Sequence, residues 1–362
     1  MKTAPCIKVI GLGGAGSNAV DRMITVDFDD VGYIAANTDL QSLERSEAGT
    51  KIQLGPVCTR GLGAGGNPEV GESATFESSE SITNAIRGAD LLFIVCGMGG
   101  GTGTGSAPIV AKIAQELGIL TIGVVSTPFE FEGTNRGQVA IAGTNAMEKY
   151  VNTLLVVQND QLLRVAPKSL TLEVAFRVAD DILRQAIQGI VELVTRTGVI
   201  NLDFASVSSV IQRGGRSIMA IGRGDTVVKA AKSALEHPLL EDNNIASAEA
   251  ILVHVSGGVE VGLNDVNDAM ANITALANPA ADVLFGASED FELNGQTQVI
   301  LMATGINANG RLPLRIKSLF GTALPIPEPI MIEDELPRDR GTMTNLDIPA
   351  FIREREMVRV HA

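Results

Sequence analysis

Leu91-Leu92-Phe93-Ile94-Val95-Cys96 runs straight into Gly97-Met98-Gly99-Gly100-Gly101-Thr102-Gly103-Thr104-Gly105, and a helix-like segment opens at Ser106. The first six residues form an apolar run of strand length. Five of the seven residues at 99–105 are glycine. The backbone there is almost free of Cβ atoms and can wrap a phosphate with successive N–H groups aimed at it. Thr102 and Thr104 add hydroxyl donors. The helix that follows turns its positive N-terminal end toward the same anion. The stretch reads as a polyphosphate site that needs no lysine.

Outward from this stretch, strand and helix alternate. Ile7-Lys8-Val9-Ile10 leads into Gly11-Leu12-Gly13-Gly14-Ala15-Gly16 and a helix from Ser17 through Met23. Residues 32–37, 91–96, 120–125 and 151–157 read as further strands, with a helix near 107–117. This alternation predicts an α/β fold, a parallel sheet with helices on both faces. Gly11, Gly13 and Gly16 satisfy G-x-G-x-x-G, and Asp39 follows Gly16 by 23 residues at the end of the second strand. That is the fingerprint of a dinucleotide site. Taken alone it fits such a site, another phosphate loop or a plain tight turn. The 99–105 loop decides, because a dinucleotide site has no use for it. A third glycine-rich stretch, residues 61–67, follows a strand at 51–54. Three loops at strand C-terminal ends converge on one crevice and suit a triphosphate. No Gly-Lys-Ser or Gly-Lys-Thr occurs, which excludes a Walker loop.

Residues 169–194 carry one long helical pattern. Leu172, Phe176, Ala179, Leu183, Ala186, Ile190 and Val194 mark one side, and Val174, Val178, Ile182, Ile187 and Val191 a second. A helix apolar over most of its girth belongs between two layers. Beyond Asn201, strands at 248–256, 283–285 and 298–304 and helices at 225–235 and 263–277 suggest a second, smaller unit. Four prolines and a run of acids between 325 and 339 read as an extended linker, before an apolar island at 346–352 and a basic end.

The 362 residues suffice for about two domains. Apolar residues make up 45% of the chain and Trp is absent, so the core must be mostly aliphatic. A net charge of -14 argues against a broad nucleic-acid face or direct binding to anionic membranes. Cys6, Cys58 and Cys96 fit no zinc spacing or disulfide framework and read as ordinary thiols. No apolar run reaches membrane-span length, and the N-terminus has no room for a signal-peptide core. The expectation is a cytoplasmic protein with no membrane insertion and no resident metal ligands.

Residues 99–105 match the G-G-G-T-G-T-G signature of the tubulin/FtsZ family, and residues 8–17, 35–39, 128–136 and 201–205 match other family blocks in order. The chain resembles that family, specifically its bacterial-type FtsZ branch, across nearly all of residues 6–318 and the tail at 346–353. The resemblance implies a GTP-hydrolysing protein that polymerises head to tail with itself into the cell-division ring at mid-cell. It implies a Rossmann-type GTP-binding domain at 1–168, a central helix and connection at 169–200 and a polymerisation domain at 201–318. A flexible linker at 319–341 and a partner-binding tail at 342–362 complete the chain.

Carried over residue by residue, GTP contacts fall to Gly14, Ala15, Gly16, Ser17, Asn18, Asn37, Asp39, Ala64, Gly65, Gly100, Gly101, Thr102, Gly103, Thr104 and Gly105. Glu132 and Arg136 match the pair near ribose and base, Asn159 and Asp180 the guanine contacts, and Phe176 the aromatic on the base. Asp180 follows Phe176 by four residues, so the two share a helix face. A carboxylate there can accept from guanine N1–H and N2–H, a donor pair that adenine lacks. Without the resemblance, Phe176 reads as core and Asp180 as an exposed helix charge. Mg²⁺ is expected with GTP, held mainly by phosphates and water.

In the family, a loop with N-x-D-x-x-D from the next subunit completes the site. Here it reads Asn201-Leu202-Asp203-Phe204-Ala205-Ser206, with Asn201 and Asp203 as the implied catalytic residues and serine in place of the second carboxylate. A neutral hydroxyl is a far weaker base, so slow hydrolysis is expected. Asp203 also reads as a helix-capping acid. Asp347, Pro349, Phe351 and Arg353 resemble the docking peptide for membrane-tethering partners. The other readings are a low-hydrolysis structural or regulatory paralogue, a filament for plasmid or organelle positioning, and a nicotinamide-dependent oxidoreductase.

Overall fold

The computed structural model describes residues 5–25, 31–165, 171–195, 200, 202–237, 245–258, 262–290, 293 and 295–306. In chain order the elements are β1 Ile7–Leu12, α1 Gly13–Thr25, β2 Val31–Asn37, α2 Leu40–Arg45, β3 Thr50–Gln53, α3 Pro68–Glu77, α4 Ser79–Ile86, β4 Leu91–Gly97, α5 Thr102–Glu116 and β5 Leu120–Thr127. There follow α6 Thr134–Met147, β6 Thr153–Gln158, α7 Asn159–Val165, α8 Leu172–Thr195, α9 Phe204–Gln212, β7 Arg216–Gly224, α10 Val227–Leu235, β8 Ala250–Gly257, α11 Leu263–Leu276, β9 Asp282–Glu289 and β10 Thr297–Ile306. The linker, the tail with Asp347, Pro349, Phe351 and Arg353, and Asn201 lie outside the described residues.

The strands form one sheet in the order β3-β2-β1-β4-β5-β6-β7-β10-β8-β9. The first six pair in parallel. Their order is that of a doubly wound nucleotide fold, whose direction of winding reverses between β1 and β4. β4 is buried along six of its seven residues, as a central parallel strand covered on both faces must be. One face packs against α1, α8 and α9 through Val20, Met23, Leu183, Ile187 and Val210. The other packs against α3, α4, α5 and α6 through Ala74, Ile82, Val110 and Met147.

The smaller unit expected after residue 201 continues this sheet. β7 pairs in parallel with β6 at only two positions, Leu154 with Arg216 and Leu155 with Ser217. β10 runs antiparallel to β7 and β8, and β9 pairs in parallel with β8. α8 ties the halves together, since Leu183, Ile187 and Ile190 share one apolar cluster with Val9 and Phe93 on one side and Leu252, Ile300 and Met302 on the other.

Other sequence expectations change as well: α1 opens at Gly13 rather than Ser17, and α5 at Thr102 rather than Ser106. The second apolar side of α8 is buried only at Ile187 and Val191, while Val174 is exposed. Polar side chains along the helix bond one another instead, from Arg184 to Asp181 and Gln188 and from Gln188 to the buried Glu192. β9 is also longer than residues 283–285 suggested, because its edge continues to Glu289 beside β8.

Candidate functional site at the ends of β1 and β4

α1 begins directly after β1 and α5 begins after the turn that ends β4. Both therefore present their N-terminal N–H groups at the reversal point of the sheet. The close fit of the loops requires glycine. A Cβ on Gly16 would overlap the carbonyl oxygen of Val95, and one on Gly13 would lie 3.1 Å from Gly103 N. A Cβ on Gly101 would lie 2.8 Å from both the Ala64 Cβ and Asn67 N, and one on Gly97 would lie 2.9 Å from the Ala15 Cβ. The opening of α1 at Gly14 to Asn18, the loop at Ala64 and Gly65, and the turn and first helical residues of α5 at Gly100 to Gly105 are thus brought into mutual contact. Gly99, at φ 95, allows the turn, which Thr104 Oγ1 supports by accepting from Gly99 N at 2.9 Å. The Thr38 and Thr102 hydroxyls lie 2.6 Å apart.

Contacts continue around the crevice to the helix side. Arg136 Nε donates to Gly99 O at 3.5 Å, and its Nη1 pairs with Glu132 Oε2 at 2.7 Å. Burial pushes the Glu132 carboxyl above its ordinary range, opposed by the Phe129 N–H and Arg136. The Phe129 ring stacks on Phe131 at 5.0 Å and meets Phe176 edge-on at 5.3 Å. Phe176 is buried, as plain core would be, and four residues on Asp180 is buried too. Asp180 is therefore no exposed helix charge. Burial pushes its carboxyl up to about 7 against the pull of Arg22, whose Nε lies 3.6 Å from Asp180 Oδ2. Arg22 belongs to α1, so the contacts return to the first glycine loop.

Among the described residues, the buried atoms Ser17 Oγ, Asn37 Nδ2 and Asn159 Oδ1 here make no hydrogen bond. Such atoms are costly unless something polar meets them. With the glycine cradle and two helix N-termini, they form a donor and acceptor set that fits a nucleoside polyphosphate. Asp39 is committed differently. It caps α2, accepting from Ser42 N at 3.2 Å, and forms a bridge with Leu62. Sequence reasoning missed Arg22, Thr38 and Phe129, because each gains its place from a partner remote in sequence.

Asp203 stands apart from this crevice. It caps α9, accepting from Ser206 N at 2.7 Å. The Ser206 hydroxyl and backbone N–H hold its exposed carboxyl below the ordinary carboxylate range. Ile200, just before it, bridges to Ala287 of β9, and β9 lies six strands from β4, about 29 Å at the usual strand spacing. Among the described residues, no cluster of three or more His, Cys, Asp or Glu could hold a metal ion, and no helix is long and apolar enough to cross a membrane.

A family model described as the Tubulin/FtsZ family, GTPase domain, matches residues 6–167, and one described as the FtsZ family, C-terminal domain, matches residues 215–307. Among solved structures, an empty FtsZ dimer from M. jannaschii is 41% identical to this chain. The match covers 85% of this chain and 90% of that one, at a TM-score of 0.80. CetZ2 from Haloferax volcanii, in a GTPγS-bound protofilament, is 21% identical over 84% of this chain and 94% of that one, at a TM-score of 0.72; this likeness speaks to the fold. The chain belongs to the tubulin/FtsZ family and carries its GTPase domain followed by the FtsZ C-terminal domain.

Proposed function

We propose that this protein binds GTP in the crevice at the ends of β1 and β4, assembles head to tail with copies of itself into the filaments of the division ring, and hydrolyses GTP slowly at the junction between copies. One observation carries the reading: the crevice and Asp203 belong to the same chain but lie some six strands apart. A carboxylate so placed can reach a bound nucleotide only on another molecule.

Within the crevice, backbone N–H groups of the three loops, with the Ser17 and Thr102 hydroxyls, take the phosphates. Phe176 and Phe129 form the apolar wall for the base, and Asn159 and Asp180 read it. Guanine donors favour the ionised form of Asp180, supplying what burial withholds. Glu132 and Arg136 fix the turn beside Gly99. Donors here are hydroxyls and backbone groups, so Mg²⁺ would be held by phosphate oxygens and water and would neutralise charge on the transferring group. From the next copy, Asn201 and Asp203 orient the attacking water. Ser206 offers no second carboxylate, and it holds that of Asp203 on the helix cap. That is the basis for slow turnover, and for the second reading, a paralogue that assembles with little hydrolysis. The tail residues Asp347, Pro349, Phe351 and Arg353 would dock membrane-tethering partners.

Light scattering with simultaneous phosphate release after GTP addition tests the reading. Polymer growth followed by slow release is expected. A protein that stays monomeric when saturated with GTP would refute it, and polymer without release would favour the second reading.

A further inference from the structure

The loop that ends at Asp203 rests on a built seat. Ile200 and Ala287 exchange two backbone hydrogen bonds, each 3.1 Å long, at the edge strand of the sheet. The neighbouring residue in β9 is Gly286. A Cβ there would lie 3.0 Å from Leu202 Cδ1, 3.2 Å from Leu202 Cγ and 3.4 Å from His254 Cδ2. The Leu202 side chain and the His254 ring therefore share the space that Gly286 leaves open. His254 is the registered partner of Gly286 across β8 and β9, and Ser256 is the partner of Ser288. These residues form one buried polar row: Ser256 Oγ lies 3.3 Å from His254 Nδ1 and 3.2 Å from Ser288 Oγ. A buried row of this kind is tolerated when its members bond one another, and it then fixes the orientation of each.

We propose that Gly286 and His254 are positioning residues for hydrolysis across the subunit junction. Gly286 makes room for Leu202, and His254, held by Ser256, forms the wall against which Leu202 seats. With Ile200 pinned on one side and Asp203 capping α9 on the other, this seat sets where the Asp203 carboxylate meets the neighbouring copy. The proposal rests on the junction reading above and adds the residues that aim the loop. Neither residue touches the nucleotide.

Full-length wild type, Gly286→Val, His254→Leu and His254→Asn are compared for GTP affinity, pelleted polymer and phosphate release per pelleted subunit. Gly286→Val drives bulk beneath Leu202, and its release per polymerised subunit should fall about tenfold to a hundredfold, the scale of a misplaced catalytic group, while GTP affinity and polymer mass stay within about twofold. His254→Leu should fall in the same direction. His254→Asn keeps a polar atom in the place of Nδ1 and should recover to within about threefold of wild type. Unchanged release per polymerised subunit in Gly286→Val and His254→Leu overturns the proposal. A parallel loss of GTP affinity and polymer in both also overturns it, since that marks general unfolding. Should Gly286→Val alone fail to bind GTP, the two His254 variants decide by the same criteria. Wild-type polymer that releases no phosphate overturns the junction reading itself.

Discussion

The crevice at β1 and β4 and the loop at Asp203 place two aspartates in opposite surroundings. Asp180 is buried between α8 and α1, and its carboxyl rises to about 7 although Arg22 stands beside it. Asp203 is exposed, and two bonds from Ser206 hold its carboxyl low. The first site is assembled largely from backbone, with glycine admitting close approach and Asp180 buried at its side. The second is exposed and assembled from a cap, a bridge and one packed leucine. The recognition we propose would profit from the burial of Asp180, since an unmatched polar group there is costly. The role we propose for Asp203 on another molecule requires a carboxylate that stays exposed and charged until that molecule arrives.

The sharpest way to break this contrast is to put side chains on the glycines. Gly105→Val should be the most damaging, because a Cβ there overlaps the Pro68 carbonyl oxygen and comes within 2.6 Å of Glu72 N. Denaturant unfolding should show a loss of about 3 kcal/mol or more, the upper range for overpacking. Gly100, with nothing within 4 Å of its Cβ position, should accept alanine without that loss. Equal stability of the two variants would show that α5 and α3 are not close-packed at Gly105.

Asp180→Asn tests recognition. The amide cannot accept from both guanine donors without presenting its own N–H₂ to one, so the preference for GTP over ATP should fall about tenfold or more in competition binding. An unaltered preference would remove Asp180 from the base contact.

The two aspartates also predict opposite pH slopes for the nucleotide-free protein. The folded state holds the Asp180 proton more tightly than the unfolded chain does, whose ordinary value is 3.8. Its contribution to stability is therefore full at low pH and is lost as pH rises through about 7. The Asp203 contribution runs the other way, present above the ordinary carboxylate value and lost as pH falls below it. Melting curves from pH 4 to 8 should show Asp180→Asn gaining on wild type as pH rises. A constant difference would contradict the burial argument.

The smallest expected change is at the loop. Ser206→Asp restores a second carboxylate and withdraws a hydroxyl donor from Asp203, so phosphate release in polymer should rise several-fold, with GTP affinity unaltered. A rate equal to or below wild type would contradict the role given to Ser206.

Glycine spacing makes the crevice legible in the sequence, because a missing Cβ is a local property that lets backbone approach an anion closely. The run at 91–96, the G-x-G-x-x-G turn and the alternation of strand and helix led to the parallel half of the sheet for the same reason. Spacing alone makes Asp180 an exposed charge, and its burial depends on what α1 brings beside α8. β7 escaped notice because Gly222 and Gly224 interrupt its pattern, and its strand character comes from pairing with β6 and β10.

By itself, then, the sequence determined where backbone could approach an anion and which segments had the period of a helix or strand. The tertiary structure alone decided that both halves share one sheet, that Arg22 faces Asp180, and that Leu202 sits over Gly286 beside His254. Those relations depend on residues far apart in the chain, and no local pattern encodes which distant surface a side chain will meet.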